Sequence, residues 1–129
     1  MSDALANLML KNLSAVFGER DNKRRMAAIK HLYSEDAVFF EADQQFEGFQ
    51  AISDAVAALQ ASFPADFEFS AAAPPVRNHD VGRLFWQLGP PGAPPVANGM
   101  DIAHLKDGRI HSLYVFLNDQ HRLGPSRTR

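Results

Sequence analysis

"GMDIAHLKDGRIHSLYVFL", residues 99 to 117, decides the fold. Asp107-Gly108 supplies two residues that tolerate positive φ, the requirement of a two-residue hairpin turn, and side chains alternate in character on either side of it. The stretch therefore reads as two antiparallel strands. The first carries an acid, Asp101, at an interior position, on the same face as Gly99, Ala103 and Leu105, with Ile102 and His104 on the other. In the second strand Leu113, Val115 and Leu117 form one face and Ser112, Tyr114 and Phe116 the other. Both faces are apolar enough to be buried.

Two further strands precede this hairpin. "DFEFSA" (66–71) alternates Phe67 and Phe69 with Glu68 and Ser70, and "GRLFWQL" (82–88) sets Leu84, Trp86 and Leu88 opposite Arg83, Phe85 and Gln87. Asn78-His79-Asp80 and the proline-rich "GPPGAPP" (89–95) are turn chemistry, so four sequential antiparallel strands are expected. The N-terminal half has a different period. From an N-cap at Ser2 or Asp3, Leu5, Leu8, Met9, Leu13, Val16 and Phe17 recur at helical spacing until Gly18. Asp21 caps a second helix carrying Met26, Ile29, Leu32 and Tyr33, and the pair should form a hairpin. "DAVFFEA" (36–42) is a short aromatic and β-branched run read as a strand, with Phe39 and Glu41 on one face. Phe49, Ile52, Val56, Leu59 and Phe63 form a third helix between Gly48 and Pro64.

Helices first and strands afterwards predict an α+β domain whose helices cover one face of a curled sheet. The 129 residues are one domain's worth, with an ordered core over 3–119 and a mobile tail over 120–129. The uncovered face, with Phe85, Tyr114 and Phe116, is a candidate subunit interface; scattered surface aromatics are the plain alternative. Thirteen basic residues against 15 acidic ones give a net charge of −2, which offers no general attraction to nucleic acid or anionic membrane. There is no cysteine, so disulfides and thiolate chemistry are excluded. The helical stripe at the N-terminus fits neither a signal peptide nor a membrane span, and a cytoplasmic protein is the plain reading. His31, His79, His104, His111 and His121 include no pair at ligand spacing, so no metal is assigned, and Arg24 and Arg25 read as a solvated run.

The ordered set "HLYSEDAVFFEA", "FEGFQAI" and "NGMDIAHLKDGRIHSLYVFL" resembles the nuclear transport factor 2-like superfamily, in its SnoaL-like and ketosteroid-isomerase-like branch, over residues 3 to 119. The resemblance implies a cone-shaped sheet wrapped around three helices, a cystatin-like roll, with an apolar pocket at the wide end and a homodimer through the outer sheet face. Laid against the isomerases, Glu41 falls on the general-base position and Asp101 on the position of a buried, protonated aspartate. The mechanism so implied is known from ketosteroid isomerase, where a carboxylic acid held neutral donates a hydrogen bond. Glu41 is one methylene longer than the aspartate of the pattern, and the first helix holds no tyrosine to act as phenolic oxyanion donor. Those departures argue against steroid isomerisation itself.

For each candidate a structural role stands beside the functional one. Asp101 could be an acid bonded to backbone, Glu41 a wet residue at a strand end, Trp86 core filler rather than a flat ligand wall, and Tyr33 a packing residue. Two carboxyls sharing one low-dielectric cavity push their protonation apart, leaving a base and an acid at neutral pH. The expected protein binds a small hydrophobic molecule among Phe39, Trp86, Tyr33, Leu113, Val115 and Leu117. As an enzyme it would be an isomerase, cyclase or dehydratase without metal or cofactor, in which Glu41 takes a proton and Asp101 stabilises the oxyanion or returns it. The alternative is a binding or protein-interaction module of the same fold.

Overall fold

The computed structural model describes residues 3–118; the tail expected over 120–129 lies outside the described residues, as does Ser2. Asp3 is the N-cap of the first helix, its Oδ1 accepting from the amides of Leu5 and Ala6 at 3.1 and 3.2 Å. Helix α1 (Ala4–Lys11) continues into a π-helical segment, Asn12–Phe17, that ends at Gly18. The wider winding lets Asn12, Leu13, Val16 and Phe17 all be buried. Asp21 caps α2 (Asn22–Leu32), which packs against the π-helical segment.

The chain then enters the sheet without a loop. Strand β1 is Tyr33–Phe40, not the expected 36–42. Ser34, Glu35 and Asp36 look like a polar break in the sequence, but Tyr33 is wholly buried and pairs with Ile110, which starts the strand there. It ends before Glu41, whose amide donates to the Gln44 carbonyl at 2.9 Å and so closes a turn into β2 (Gln45–Glu47). After α3 (Phe49–Ala61) come β3 (Glu68–Ala71), β4 (Val76–Asn78), β5 (Val81–Gly89), β6 (Ala97–Lys106) and β7 (Arg109–Leu117).

The seven strands form one curved sheet in the order β2-β1-β7-β6-β5-β3, with β4 beside β5. The antiparallel run of β3, β5, β6 and β7 is as expected, and Asp107 and Gly108, at φ 54° and 78°, make its tightest turn. Two features were not visible in the sequence: the short strands β2 and β4, and the parallel pairing of β1 with β7, which makes the sheet mixed. A parallel neighbour is a long-range choice that no local turn signal announces. Together with the three helices this is the expected α+β cone.

The inward sheet face carries Phe39, Leu84, Trp86, Ala103, Ile110 and Leu113, against Leu5, Met9, Val16, Ile29, Ile52 and Val56 of the helices. Each large side chain so buried contributes about 1.5–3 kcal/mol. One basic residue joins them. Arg24 is on the solvated face expected for both arginines, but Arg25 is buried. Its Nε donates to Ser53 Oγ at 3.1 Å, its Nη1 to the Glu19 carbonyl at 2.8 Å and to Gln60 Oε1 at 3.2 Å, and its Nη2 to Asn22 Oδ1. These neutral acceptors replace the water that a charged run in a first turn ordinarily keeps.

Candidate active site

Between the helices and the concave sheet face lies a cavity of about 390 Å³. Strand alternation aims its walls. Position 86 of β5 and position 101 of β6 both face inward, and the register pairs Trp86 with Gly99 and Leu84 with Asp101. A side chain at 99 would collide with the indole, since a Cβ there would stand 2.5 Å from Trp86 Cζ2. The glycine beside Asp101 thus makes room for Trp86. The indole uses that room to reach diagonally across the strands, and its Nε1 donates to Asp101 Oδ1 at 2.8 Å.

Asp101 is 3 % exposed. Burial pushes its pKa up to about 7, against the opposing pull of the Trp86 hydrogen bond. Its other oxygen, Oδ2, accepts from no described residue. Asp101 and Trp86 both line the cavity, as do Phe39, Val115 and Leu117. Leu117 is half exposed and marks the mouth.

Glu41 also lines the cavity, but from the turn after β1 rather than from within the strand, and it is only partly buried. Asp43 and Gln44 of the same turn accompany it, so the cavity has one acid at its buried wall and two at its rim. Tyr33 and Leu113 are wholly buried and do not line the cavity. Tyr33 Oη donates to Asn12 Oδ1 at 2.6 Å. Burial first, and the charge of Asp101 second, hold its phenol well above the ordinary tyrosine range, so it stays protonated.

Leu13, Phe17 and Phe69 are among the lining residues that the sequence reading does not single out as ligand contacts. Phe69 had a signal in the alternation of "DFEFSA". Asn12, which does not line the cavity but bonds the Tyr33 phenol, had a signal too, as a polar residue at helical spacing from Leu5, Leu8 and Met9. Among the described residues no cluster of three or more potential ligands could hold a metal, and no helix is long and apolar enough to cross a membrane.

The fold and this cavity define a cone-type α+β protein of the kind found among nuclear transport factor 2-like proteins. Residues 15–113 match the SnoaL-like domain, and the chain belongs to that family. Among solved structures, a candidate isomerase of the SnoaL-like family from Agrobacterium tumefaciens is similar at 28% identity and a TM-score of 0.81, over 89% of this chain and 97% of its own. A candidate SnoaL-like polyketide cyclase from Jannaschia sp. CCS1 is similar at 14% identity and a TM-score of 0.72, over 89% and 85% of the two chains. A protein with a ketosteroid isomerase-like fold from Catenulispora acidiphila, in complex with trimethylamine, is similar at 15% and 0.67, over 84% and 83%. No curated protein shows significant sequence similarity to the chain.

Proposed function

We propose that the cavity binds a small, largely apolar molecule and that Asp101 and Glu41 move protons on it, without a metal or cofactor, in an isomerisation, cyclisation or dehydration. The observation that carries this reading is a carboxyl on an apolar cavity wall whose pKa is pushed up to about 7, with one oxygen that accepts from no described residue. A group titrating near the working pH is both a competent donor and a competent acceptor. Asp101 gives or returns the proton at the buried end, and Glu41 accepts it at the mouth. Phe39, Trp86, Val115 and Leu117 hold the apolar body. The trimethylamine held by the Catenulispora protein supports ligand binding by this kind of fold.

The test begins with the Asp101 carboxyl carbon, followed by NMR across pH in the wild type and in Glu41→Gln. A midpoint near neutrality supports the reading, and a midpoint near 4, the ordinary carboxylate value, sinks it. Turnover of carbonyl-bearing ring compounds should then be lost in Asp101→Asn and in Glu41→Gln, with binding retained.

One observation favours a second reading, a binding module without chemistry. The buried phenol of Tyr33 spends its proton on Asn12, so it does not serve as a second donor beside Asp101 for a developing oxyanion. A Glu41→Gln protein that binds ligands like the wild type, where neither turns anything over, would establish that reading. In either case we propose a homodimer formed through the outer sheet face, where Phe85, Tyr114 and Phe116 are 41%, 40% and 52% exposed.

A further inference from the structure

The charge of the cavity is one-sided. Three lining residues carry ionisable side chains, Glu41, Asp43 and Asp101, and all three are acids; no Lys, Arg or His lines it among the described residues. Asp101 is the extreme case. It is buried, it forms no ion pair with any described residue, and its Oδ2 has no described donor. A buried carboxylate without a counter-charge is costly, and a ligand that supplies the missing charge recovers that cost on binding.

The walls beside it suit the same kind of ligand. Phe17, Phe39, Phe69 and Trp86 all line the cavity and meet in a chain of near-perpendicular pairs: Phe17 with Phe39 at 87°, Phe17 with Phe69 at 79°, and Phe69 with Trp86 at 76°, with ring centroids 5.6 to 6.1 Å apart. Aromatic rings on the walls of a cavity, with acid at its wall and rim, attract cations through both the ring quadrupoles and the carboxylates. An anionic ligand, a carboxylate or a phosphate ester, meets repulsion at the mouth and again at the wall.

We propose that the ligand of this cavity is an organic cation, an apolar body carrying an amine or methylated ammonium head, and that the head sits against Asp101 Oδ2. This rests on the cavity being a ligand site and narrows what that site takes. With such a ligand Asp101 anchors the head as a carboxylate and does not return the proton, so Glu41 both takes the proton and gives it back.

The experiment compares three probes of like size on the full chain: benzyltrimethylammonium, its uncharged isostere neopentylbenzene, and the anion phenylacetate. Calorimetry gives affinities, and the fluorescence of Trp86, the single tryptophan, reports entry to the cavity. The cation should bind at least about tenfold more tightly than the isostere, phenylacetate should bind most weakly, and Asp101→Asn should erase the cation's advantage while neopentylbenzene binds as before. In wild-type protein near pH 6, saturation with the cation should also move the Asp101 carboxyl carbon to its ionised chemical shift, a readout that needs no variant to fold. Equal or tighter binding of neopentylbenzene overturns the cation class and leaves the apolar cavity standing. An advantage that survives in Asp101→Asn, or an Asp101 resonance unmoved by the cation, overturns the placement of the head. If no probe binds, the cavity is not a ligand site and both readings fall.

Discussion

Asp101 couples the site to stability, and the sign follows from its titration. In the unfolded chain its pKa is 3.8, and in the folded protein burial raises it to about 7. Its contribution to stability is therefore complete below the unfolded value and is lost as pH rises through the folded one. The whole loss is roughly 4 kcal/mol, of which about 3 falls between about pH 5 and about pH 8. Urea denaturation at those two pH values should show the decline in wild type and a much flatter response in Asp101→Asn, where nothing remains to ionise. Trp86 works in the opposite direction, because its Nε1–H bonds the charged form best. Trp86→Phe keeps a ring but removes that donor, so the Asp101 midpoint should rise further and stability above pH 7 should fall by about 2 kcal/mol. A lower midpoint would mean the indole stabilises the neutral acid instead. Gly99→Ala tests the same contact sterically: the new Cβ would press on the indole at 2.5 Å and on the Phe116 carbonyl oxygen at 2.6 Å, costing about 2 kcal/mol in denaturation.

The helices depend on one buried cation. Arg25 of α2 reaches Glu19 at the end of the first helix and Ser53 and Gln60 of α3, while Gln60 Nε2 donates to the carbonyls of Phe17 and Glu19 at 2.9 Å each. A guanidinium beside the carbonyls that end a helix is favoured by their aligned dipoles, and its planar fork serves several acceptors at once. Arg25→Lys keeps the charge and loses the fork, so it should cost about 2–3 kcal/mol in urea denaturation, close to the cost of Arg25→Met. If lysine restored most of the stability, charge alone would be responsible. Since Phe17 lines the cavity, this network also fixes one of its walls. The contrast with Asp101 shows what periodicity reports. Strand alternation was enough to put Asp101, Trp86, Phe39, Val115 and Leu117 on the inward face, because a strand residue has only two faces to choose from. It placed Glu41 inside β1, whereas a turn that depends on the Gln44 carbonyl removes it to the rim. It also set Arg25 in water, because its partners lie up to 35 positions away on another helix. Tyr33 is placed among the ligand contacts as a phenol within reach of the pocket, while its helical spacing favours core packing, and the packed layer behind the cavity wall is where it lies.

At the scale of the molecule, the helices and the convex side of the sheet divide the work. Helices cover the concave face, so no described helix covers the aromatic residues of the other face. Tyr114 of β7 stacks on Phe40 of β1, their centroids 4.5 Å apart and their planes within 6° of parallel, and the Arg83 guanidinium lies 5.1 Å from the ring centre of Phe85. These contacts preorder the side chains of the patch, which lowers the side-chain entropy lost when a partner covers it. A stable dimer buries about 800 Å² on each subunit, and a patch extending across β1, β7, β6 and β5 has the breadth for it. Phe116, half exposed near the end of β7, is the residue to charge: Phe116→Arg should bring two like charges together across a twofold axis. Sedimentation at micromolar concentration should give twice the monomer mass for the wild type and the monomer mass for the variant. Because Asp101 faces the opposite side of the sheet, its carboxyl midpoint should be the same in both. A wild type that sediments as a monomer would leave the patch for some other partner, and a shift of Asp101 in Phe116→Arg would mean that assembly, and not burial within one chain, sets its protonation.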